Sequence, residues 1–288
     1  MVLLWIVLQL GDQLRCYSRL WVMLRTVLAT VLYIGIAAPA VAEMPICVRE
    51  DAAPFSELGE DGDFRGFSVD LCRLVAAELG EVVTLVPVTA ETRFDVLKAG
   101  GCQMLCGATT ITMRRRNDFN FSLITFVTDT AFLFPRELLN GISSNRASLS
   151  VGYLKNTTAH EYLRDGEVFD IETLEVELRD MDSHEEALKA LSSGQIESYI
   201  ADRDILQNML QELPSLAKSH IVGTRGLTYE PYAIAMFKED HELRERVDQA
   251  LAKLFRDGVI WTLIDQHIPS RRDDALLRSL LKIQSIPE

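Results

Sequence analysis

Strand-like and helix-like segments alternate along the chain from Glu43 onward, and this order limits the possible folds more than any other feature of the sequence. Short apolar runs with the composition of buried strands are separated by segments that carry apolar residues at helical spacing. Such alternation is typical of a parallel-rich α/β sheet. It occurs over residues 45–108 and again over residues 149–223, which predicts two α/β units.

The predicted strands are residues 45–49, 82–88, 103–108, 149–154, 196–201 and 219–223, and the predicted helices are residues 67–80, 92–101, 157–163, 183–194, 205–213 and 241–258. Two long apolar runs, residues 123–134 and 232–237, connect the two units. We therefore predict two lobes joined by a double crossover, with a cleft between them that suits a small ligand. A weak amphipathic pattern over residues 271–288 has no assigned place.

The composition is that of a folded, acidic protein. Of its 288 residues, 48% are hydrophobic, which is sufficient for a large core. The net charge of -13 disfavours nucleic-acid binding, because contacts with phosphates need a basic face. A local basic pocket for an anion is compatible with this charge.

Residues 1–42 differ from the rest of the chain and are typical of an export signal. Met23-Leu24-Arg25 precedes an apolar stretch that ends in small residues, which predicts a signal peptide cleaved after Ala42. Translation from Met23 would make residues 1–22 an upstream extension. The alternative is an N-terminal membrane anchor that begins at Met1.

Four cysteines lie beyond the predicted signal peptide: Cys47, Cys72, Cys102 and Cys106. An even number in an exported protein permits two disulfides, and three pairings are possible. Buried free thiols are the alternative. The spacing of Cys102 and Cys106 does not match a zinc site, and no histidine pair accompanies it, so we expect no metal.

The segment of residues 106–122 carries the most chemistry, because threonines and three consecutive arginines follow a predicted strand there. Hydroxyls, backbone N–H groups and a guanidinium can together hold a carboxylate, for which arginine is a planar, two-pronged donor. The alternative is that Arg114, Arg115 and Arg116 form a solvated surface cluster.

Five motifs follow one another along the chain: Pro54-Phe55-Ser56, the GFSVDL helix start, the TIT-x-x-R loop, the K-x-TT turn and a later SG…D pair. In this order they resemble the family 3 extracellular solute-binding proteins, whose lobes are also those of the ligand core of ionotropic glutamate receptors. The resemblance covers residues 45–268. It implies an α/β, two-lobed, periplasmic-binding-protein-like (type II) fold with two hinge crossovers and an interlobe ligand cleft.

The resemblance implies ligand contacts on the first lobe. Arg115 of the TIT-x-x-R loop would bind the α-carboxylate of an amino acid, and Thr110 would offer its hydroxyl and N–H to the same group. The carbonyl oxygen of Ala108 would bind the α-amino group.

It also implies ligand contacts on the second lobe. Asp202 matches the acidic residue that pairs with the α-ammonium group. Thr157 and Thr158 open a predicted helix, whose first N–H groups and dipole favour an anion.

Within this family, three residues make the chain most similar to the glutamate/aspartate-binding branch: Arg49, Arg93 and His184. A second carboxylate on the ligand would explain why three arginines converge from separate elements. Each of the three residues also has an alternative as a solvated surface side chain, and acids near Arg49, such as Asp51, could neutralise it.

The chain departs from the family pattern at four positions. Ala52 stands where binders of neutral amino acids carry an aromatic ring, which disfavours aromatic and bulky apolar ligands. Ala90 and Ala108 replace two serines of the acidic branch. Asn156 replaces the usual glycine before Thr157.

The prediction is an exported, periplasmic solute-binding protein that captures a small, acidic amino acid and delivers it to the membrane permease of an ABC transporter. We expect a monomer with no catalytic residue, no metal, no cofactor and no nucleic-acid partner; an uncleaved N-terminus would leave it tethered to the membrane. The predicted parts are the signal peptide (1–42), lobe 1 (43–130 plus 230–270), lobe 2 (131–229) and a C-terminal tail (271–288). The alternatives are a dehydratase-like enzyme on the same scaffold and a periplasmic sensory module.

Overall fold

The computed structural model describes residues 43–140, 148–164 and 175–287, so the predicted signal peptide lies outside the described residues. The strands are β1 (Glu43–Arg49), β2 (Asp51–Ala52), β3 (Ser56–Leu58), β4 (Phe64–Arg65), β5 (Val82–Val88), β6 (Met104–Cys106), β7 (Phe119–Thr128), β8 (Thr130–Pro135), β9 (Ser148–Leu154), β10 (Glu175–Met181), β11 (Ser198–Asp202), β12 (His220–Val222) and β13 (Glu230–Phe237). The helices are α1 (Phe67–Leu79), α2 (Arg93–Lys98), α3 (Thr158–Arg164), α4 (His184–Ser193), α5 (Arg203–Glu212), α6 (Pro214–Ser219), α7 (His241–Arg256), α8 (Val259–His267) and α9 (Ala275–Ile283).

Two five-stranded sheets form the centres of two lobes. The sheet of lobe 1 has the order β5-β1-β6-β13-β7, and the sheet of lobe 2 has the order β10-β9-β11-β8-β12. In each sheet the first three strands are parallel, and the fourth is antiparallel to both of its neighbours. The predicted pair of α/β units is confirmed, with one antiparallel strand in each sheet.

The chain passes between the lobes twice, as predicted. Only Asp129 separates β7 of lobe 1 from β8 of lobe 2, and residues 223–229 lead from β12 back to β13. The first long apolar run of the sequence therefore spans β7 and β8, on either side of the first crossover, and the second run lies in β13, after the second crossover. This arrangement brings the start of β8 and the start of β13 to the junction of the lobes.

An aromatic cluster fills the core of lobe 1 beneath this junction. Phe55 packs edge-on against Phe126 and against Tyr232, with ring centroids 5.0 Å apart in both pairs. Phe67 lies 6.3 Å from Phe55, and all four side chains are fully buried. The cluster fixes the ring of Tyr232, whose hydroxyl reaches the functional site described below.

Helix ends follow local sequence signals. Helix α1 ends at Gly80, whose φ of 75° is a left-handed conformation that glycine adopts without strain. Helix α4 begins after Ser183, whose hydroxyl oxygen accepts a hydrogen bond of 3.0 Å from the N–H of Glu186. Among the residues that the structure describes, no helix combines the length and the apolarity needed to span a membrane.

The C-terminal segment, which the sequence pattern left unplaced, packs on lobe 1 through α9. Leu277 and Leu281 are buried, while Leu276 faces solvent. The side chain of Gln284 accepts a hydrogen bond from the backbone of Ile124 and donates one to it, each of 2.8 Å. The weak amphipathic pattern is thus one helix that covers the edge strand β7.

Two disulfides, which the even number of cysteines permits, are present and lie in lobe 1. Cys47 pairs with Cys102, at a Cα–Cα distance of 5.6 Å, and Cys72 pairs with Cys106, at 6.4 Å. The first joins neighbouring parts of the sheet, and the second ties α1 to the end of β6. Buried free thiols, the alternative interpretation, are excluded.

Candidate functional site

The loop after β6 carries the arginine predicted to bind the ligand carboxylate. The hydroxyl oxygen of Thr112 accepts a hydrogen bond of 3.1 Å from the N–H of Arg115 and starts a short 3-10 helix over Arg115–Asn117. The side chain of Arg115 is buried and turns back, so that a terminal nitrogen donates to the carbonyl oxygen of Thr110 at 2.9 Å. Arg114 and Arg116 are exposed. The surface-cluster alternative therefore describes its neighbours but not Arg115.

A second buried arginine, Arg93, begins helix α2 and is only 1% exposed. It donates hydrogen bonds to the carbonyl oxygen of Ala90 and, at 2.8 Å, to that of Asn156 on lobe 2. The guanidinium groups of Arg93 and Arg115 lie 4.7 and 4.9 Å from the ring centre of Phe94. One aromatic ring thus contacts both positive charges and holds them near each other.

Neither of these two arginines forms a direct ion pair with an acidic side chain among the described residues, although the charge of Asp202 acts on both. Burial lowers the pKa of Arg93 well below its ordinary value, and the charges of Arg115 and Arg49 lower it further. Burial also lowers the pKa of Arg115. Because a guanidinium resists deprotonation in proteins, the cost of burying the two charges favours an anion beside them. Within the described part of the chain, the hydrogen-bond acceptors of both side chains are carbonyl oxygens.

Asp202 ends strand β11 on the opposite lobe and accepts a hydrogen bond from the hydroxyl of Tyr232. Burial raises the pKa of the Asp202 carboxyl, and the charge of Glu230 raises it further, to about 7; the Tyr232 hydrogen bond opposes this rise. The carboxyl group therefore exchanges a proton near neutral pH. A cation beside it would favour the ionised form.

Glu230 is a site residue that the sequence analysis did not identify. It is the first residue of β13 and is 1% exposed. Its carboxylate accepts hydrogen bonds from four threonine hydroxyls, those of Thr110, Thr130, Thr158 and Thr228. The sequence feature that could have identified Glu230 is a charged residue at the start of a predicted buried strand, immediately before Pro231.

Arg49, at the end of β1, is buried and is already paired. A terminal nitrogen lies 2.8 Å from the carboxylate of Asp51, whose other oxygen accepts a hydrogen bond of 3.2 Å from the N–H of His184 on lobe 2. Burial raises the pKa of Asp51, but Arg49 and His184 outweigh it and bring that pKa to about 2. Asp51 thus neutralises Arg49, and the Nε of Arg49 is buried without a hydrogen-bond partner in the described residues.

The site therefore combines cationic and anionic groups at the junction of two lobes. Residues 44–270 match the bacterial extracellular solute-binding proteins, family 3. The chain belongs to this family.

Individual relatives of this family 3 protein differ in what their names say they bind. The glutamine-binding protein of an ABC transporter from Bacillus subtilis is 25% identical over 201 residues, 68% of this chain and 70% of that protein. The glutamate/aspartate import solute-binding protein of Escherichia coli is 22% identical and covers 73% of this chain and 71% of its own length. A solved structure of an ancestral arginine-binding protein bound to arginine superposes with a TM-score of 0.69 at 22% identity, covering 78% of this chain and 98% of that one. The predicted fold class is confirmed, and the glutamate/aspartate branch is not singled out.

In this family 3 protein His184 is a buried residue and not a surface side chain. Its Nδ1 lies 2.8 Å from the hydroxyl of Tyr199, and its Nε2 has no hydrogen-bond partner among the described residues. Burial lowers the pKa of His184 to about 4, and Arg49 contributes to the decrease while Asp51 opposes it. The ring is therefore neutral at neutral pH.

The K-x-TT turn of lobe 2 contacts lobe 1 through backbone and hydroxyl groups. Asn156 has a φ of 57°, a left-handed conformation that asparagine tolerates better than most residues, which explains how it replaces the family's glycine. The hydroxyl of Thr157 donates to the carbonyl oxygen of Leu154 at 2.7 Å and so holds the turn. The hydroxyl of Thr158 donates to Glu230 at 2.8 Å.

The other predicted contacts of lobe 1 lie in the same loop. Ala108 and Thr110 are both buried, two and four residues beyond the disulfide-bonded Cys106. The hydroxyl of Thr110 donates to Glu230 at 2.6 Å. Among the described residues, no group of three or more histidine, cysteine or acidic side chains is arranged to hold a metal ion.

Proposed function

We propose that this protein captures a small amino acid between its lobes and delivers it to the permease of an ABC transporter. The observation that carries the proposal is the distribution of charge at the lobe junction. Among the described residues, Arg93 and Arg115 are buried cations whose hydrogen-bond acceptors are carbonyl oxygens, whereas Asp202 and Glu230 are acidic groups that accept hydrogen bonds from hydroxyls. A zwitterion supplies the missing anion to the first pair and the missing cation to the second.

The α-carboxylate would bind Arg115, whose planar fork suits two carboxylate oxygens. The α-ammonium would bind Asp202, with the carbonyl of Ala108 as a further acceptor. The sequence motif assigned the Thr110 hydroxyl to the α-carboxylate, but that hydroxyl donates to Glu230 at 2.6 Å. We therefore propose that its oxygen accepts from the ammonium instead. Because Arg115 and Asp202 lie on different lobes, the ligand would bridge them and favour the closed arrangement.

We further propose that the ligand side chain is acidic. Four buried polar atoms of lobe 1 have no hydrogen-bond partner in the described residues: the Nε of Arg49, the Oγ of Ser56, the Nε of Arg93 and the Oγ1 of Thr109. All four can donate, and a carboxylate only accepts. An unmade hydrogen bond at a buried donor costs about 1–3 kcal/mol, so a ligand that supplies acceptors there gains affinity. His184, with its free Nε2, lies on the other side of Asp51 and completes this part of the site.

Because Asp51 pairs with Arg49, the preference for an acidic side chain rests on hydrogen bonding and not on net charge. With Arg49 neutralised by Asp51, net charge alone does not require a second anion. The relatives include proteins named for binding glutamine, arginine, and glutamate or aspartate. The contacts with the ligand side chain therefore decide which amino acid is preferred.

Export and assembly follow from the same proposal. We propose that residues 1–42 direct the chain to the periplasm, that residues 43–130 with 230–270 and residues 131–229 move as the two lobes, and that a monomer docks on the permease. The ligand would leave unchanged, since a delivery protein needs no reaction.

Isothermal titration calorimetry of residues 43–288 tests the proposal. The panel is L-glutamate, L-aspartate, L-glutamine, L-asparagine, L-arginine and L-histidine. We expect the acidic pair to bind most tightly, with glutamate favoured over glutamine by about tenfold or more, the factor that corresponds to one hydrogen bond to a charged group. Proton NMR of the released ligand should show it unaltered.

Tightest binding of glutamine, arginine or histidine would overturn the acidic preference and leave amino-acid capture intact. Binding of none of the six would contradict the proposed function itself. Conversion of a bound amino acid into a product would favour the enzyme alternative.

A further inference from the structure

Glu230 accepts hydrogen bonds from hydroxyl groups at the proposed binding site and so determines where the hydrogens of those hydroxyls point. One oxygen of its carboxylate, Oε2, accepts hydrogen bonds from the hydroxyls of Thr110 at 2.6 Å and Thr158 at 2.8 Å. The other, Oε1, accepts hydrogen bonds from Thr130 at 3.2 Å and from Thr228.

These four threonines come from four separate parts of the chain. Thr110 lies in the loop of lobe 1 that carries Arg115, and Thr158 begins α3 on lobe 2. Thr130 begins β8, directly after the first crossover, and Thr228 lies in the second crossover. The carboxylate of Glu230 therefore links both lobes and both crossovers through hydroxyl groups.

The chemistry of a hydroxyl gives this link a consequence for the ligand. A threonine hydroxyl has one hydrogen and two lone pairs, so a hydroxyl that donates to a carboxylate can only accept from any other group. Thr110 has given its hydrogen to Glu230, and its carbonyl oxygen accepts from Arg115. Towards a ligand, the hydroxyl oxygen of Thr110 is an acceptor, which suits an ammonium group and repels a carboxylate.

Tyr232, two residues further along the same strand, also has a hydroxyl that donates its hydrogen to a carboxyl group. Its hydroxyl donates to Asp202, so that the Tyr232 oxygen is also left with lone pairs only. Since alternate residues of a strand point to the same side, Glu230 and Tyr232 both face the lobe junction. Acceptors therefore gather on the side of the site that carries Asp202.

We propose that Glu230 is a positioning residue that makes the site selective for ligands with an amino group, because it fixes the hydroxyl of Thr110 as a hydrogen-bond acceptor. The inference rests on the proposed amino-acid function. The hydrogen bond from Thr158 extends the same control to lobe 2, so that the oriented hydroxyl and one of the contacts between the lobes depend on the same carboxylate.

The test compares ligands that differ only in the amino group. For the wild-type chain we measure the affinities of L-glutamate and of glutarate, which lacks the α-amino group, and take their ratio. We expect a ratio of about 30 or more, because an absent ammonium leaves Asp202 without its partner.

In Glu230→Gln, the amide N–H₂ can donate to Thr110, which frees the hydroxyl to turn its hydrogen towards the ligand. We expect the ratio to fall by about tenfold in this variant, chiefly through weaker binding of L-glutamate. Thr110→Val should produce the same decrease without altering Glu230. Thr110→Ser, which retains the hydroxyl, should keep the wild-type ratio.

The matched control is Thr130→Val, which removes a hydrogen bond from the other oxygen of the same carboxylate. It should weaken both ligands by the same factor and leave the ratio unchanged. If Glu230→Gln and Thr110→Val also weaken both ligands equally, Glu230 is only a structural support and the inference is overturned. Should Glu230→Gln fail to fold, an unchanged ratio in Thr110→Val still overturns the inference, because the Thr110 hydroxyl would then play no part in recognising the amino group.

The outcome stays separable from the proposed function. If the wild-type chain binds L-glutamine or L-arginine instead of L-glutamate, the same ratios are measured with 4-carbamoylbutanoate or 5-guanidinopentanoate as the ligand that lacks the amino group. Amino-acid binding with an unaltered ratio in Glu230→Gln refutes only the inference. Binding of none of the six amino acids of the titration panel refutes the proposed function, and the inference with it.

Discussion

The backbone carbonyl oxygen of Asn156 lies 2.8 Å from a terminal nitrogen of Arg93, so that a turn of lobe 2 contacts a buried cation of lobe 1. The same oxygen is 3.5 Å from a terminal nitrogen of Arg115. A carbonyl oxygen satisfies hydrogen-bond donors but brings no net charge. A ligand carboxylate at this junction would add the charge that the carbonyl lacks, and the contact shows that groups of lobe 2 can reach both arginines.

Arg115→Ala should abolish capture of amino acids. Truncating one partner of a buried, hydrogen-bonded charge pair costs about 2–5 kcal/mol, which is roughly 30-fold and upward in Kd. Calorimetry measures the loss. The matched control is Arg114→Ala, because the adjacent Arg114 is exposed and pairs with Glu161 at 3.2 Å. Arg114→Ala should change the affinity little, since exposed ion pairs contribute about 0–1 kcal/mol. Wild-type affinity in Arg115→Ala would contradict the site assignment.

Affinity should fall when the pH decreases below about 7, because of Asp202. Its pKa is raised to about 7 by burial and by the charge of Glu230. The ionised form pairs with an ammonium, so below this pKa the carboxyl must lose a proton before it can bind, and Kd should rise by up to tenfold per pH unit. The pKa values of Asp51, about 2, and of His184, about 4, lie below the range tested.

Titrations between pH 5.5 and 8 check this dependence, and Asp202→Asn serves as the control. The amide cannot ionise, so its affinity should be weaker than that of the wild type and nearly independent of pH. A wild-type affinity that is constant from pH 8 to 5.5 would mean that Asp202 does not pair with the ligand amine.

The selectivity for an acidic side chain should depend on Arg49. Arg49→Met removes the unpartnered Nε and leaves Asp51 without its cation, so that glutamate should lose its advantage over glutamine while Arg115 still binds the α-carboxylate. Asp51→Asn is the matched variant: it keeps Arg49 but frees its charge, and the preference for glutamate should increase. Competition titrations measure both ratios. A preference that both variants leave unchanged would exclude Arg49 from the side-chain site.

The sequence pattern predicted most strands and helices because burial and periodicity are local properties. It missed β10, whose residues are mostly exposed at the edge of the lobe 2 sheet, since an edge strand needs few apolar residues. The disulfide partners also could not be derived from spacing. Cys47 meets Cys102 because the chain runs back to set β6 beside β1, which is a property of the sheet order.

The candidate site was predicted unevenly for a similar reason. The arginines stand in motifs, and their positions in the sequence indicated a carboxylate site. Glu230 belongs to no such motif, and its importance arises from four hydroxyls that only the folded chain brings together. Whether Arg49 was paired also depended on the fold, because Asp51 reaches it across the turn after β1.

The Cys72–Cys106 disulfide should support the binding loop as well as the stability of lobe 1. Removing either disulfide as an alanine pair should lower the free energy of unfolding by about 4 kcal/mol, the loop-closure value for separations of this size. Only Cys72→Ala with Cys106→Ala should also weaken amino-acid binding, since Cys106 directly precedes the loop with Thr110 and Arg115. Cys47→Ala with Cys102→Ala is the control. Denaturant unfolding and calorimetry measure the two effects, and equal affinities in both variants would contradict the loop argument.

The last prediction concerns the crossovers, which Arg203 of α5 ties together. Its guanidinium forms a two-pronged ion pair with Asp129 of the first crossover, at 2.5 and 2.7 Å, and donates to the carbonyl oxygen of Gly223 in the second. A Cβ atom added at Gly226 would collide with the carboxylate of Asp129. Gly226→Ala should therefore displace that carboxylate and lower the free energy of unfolding by about 1–3 kcal/mol, through loss of a charge-assisted hydrogen bond.

The sign of this change is diagnostic, because a glycine-to-alanine substitution without strain usually stabilises a protein by about 0.4–1 kcal/mol. In an Asp129→Ala background the collision is absent, so Gly226→Ala should there be neutral or stabilising. Urea unfolding of the wild type, the two single variants and the double variant measures the interaction energy between the two positions. This energy should be close to the destabilisation by Gly226→Ala in the wild-type background plus the stabilisation by Gly226→Ala in the Asp129→Ala background. If Gly226→Ala has the same effect with and without Asp129, the collision with the carboxylate is not its cause, and the tie between the crossovers is weaker than the hydrogen bonds indicate.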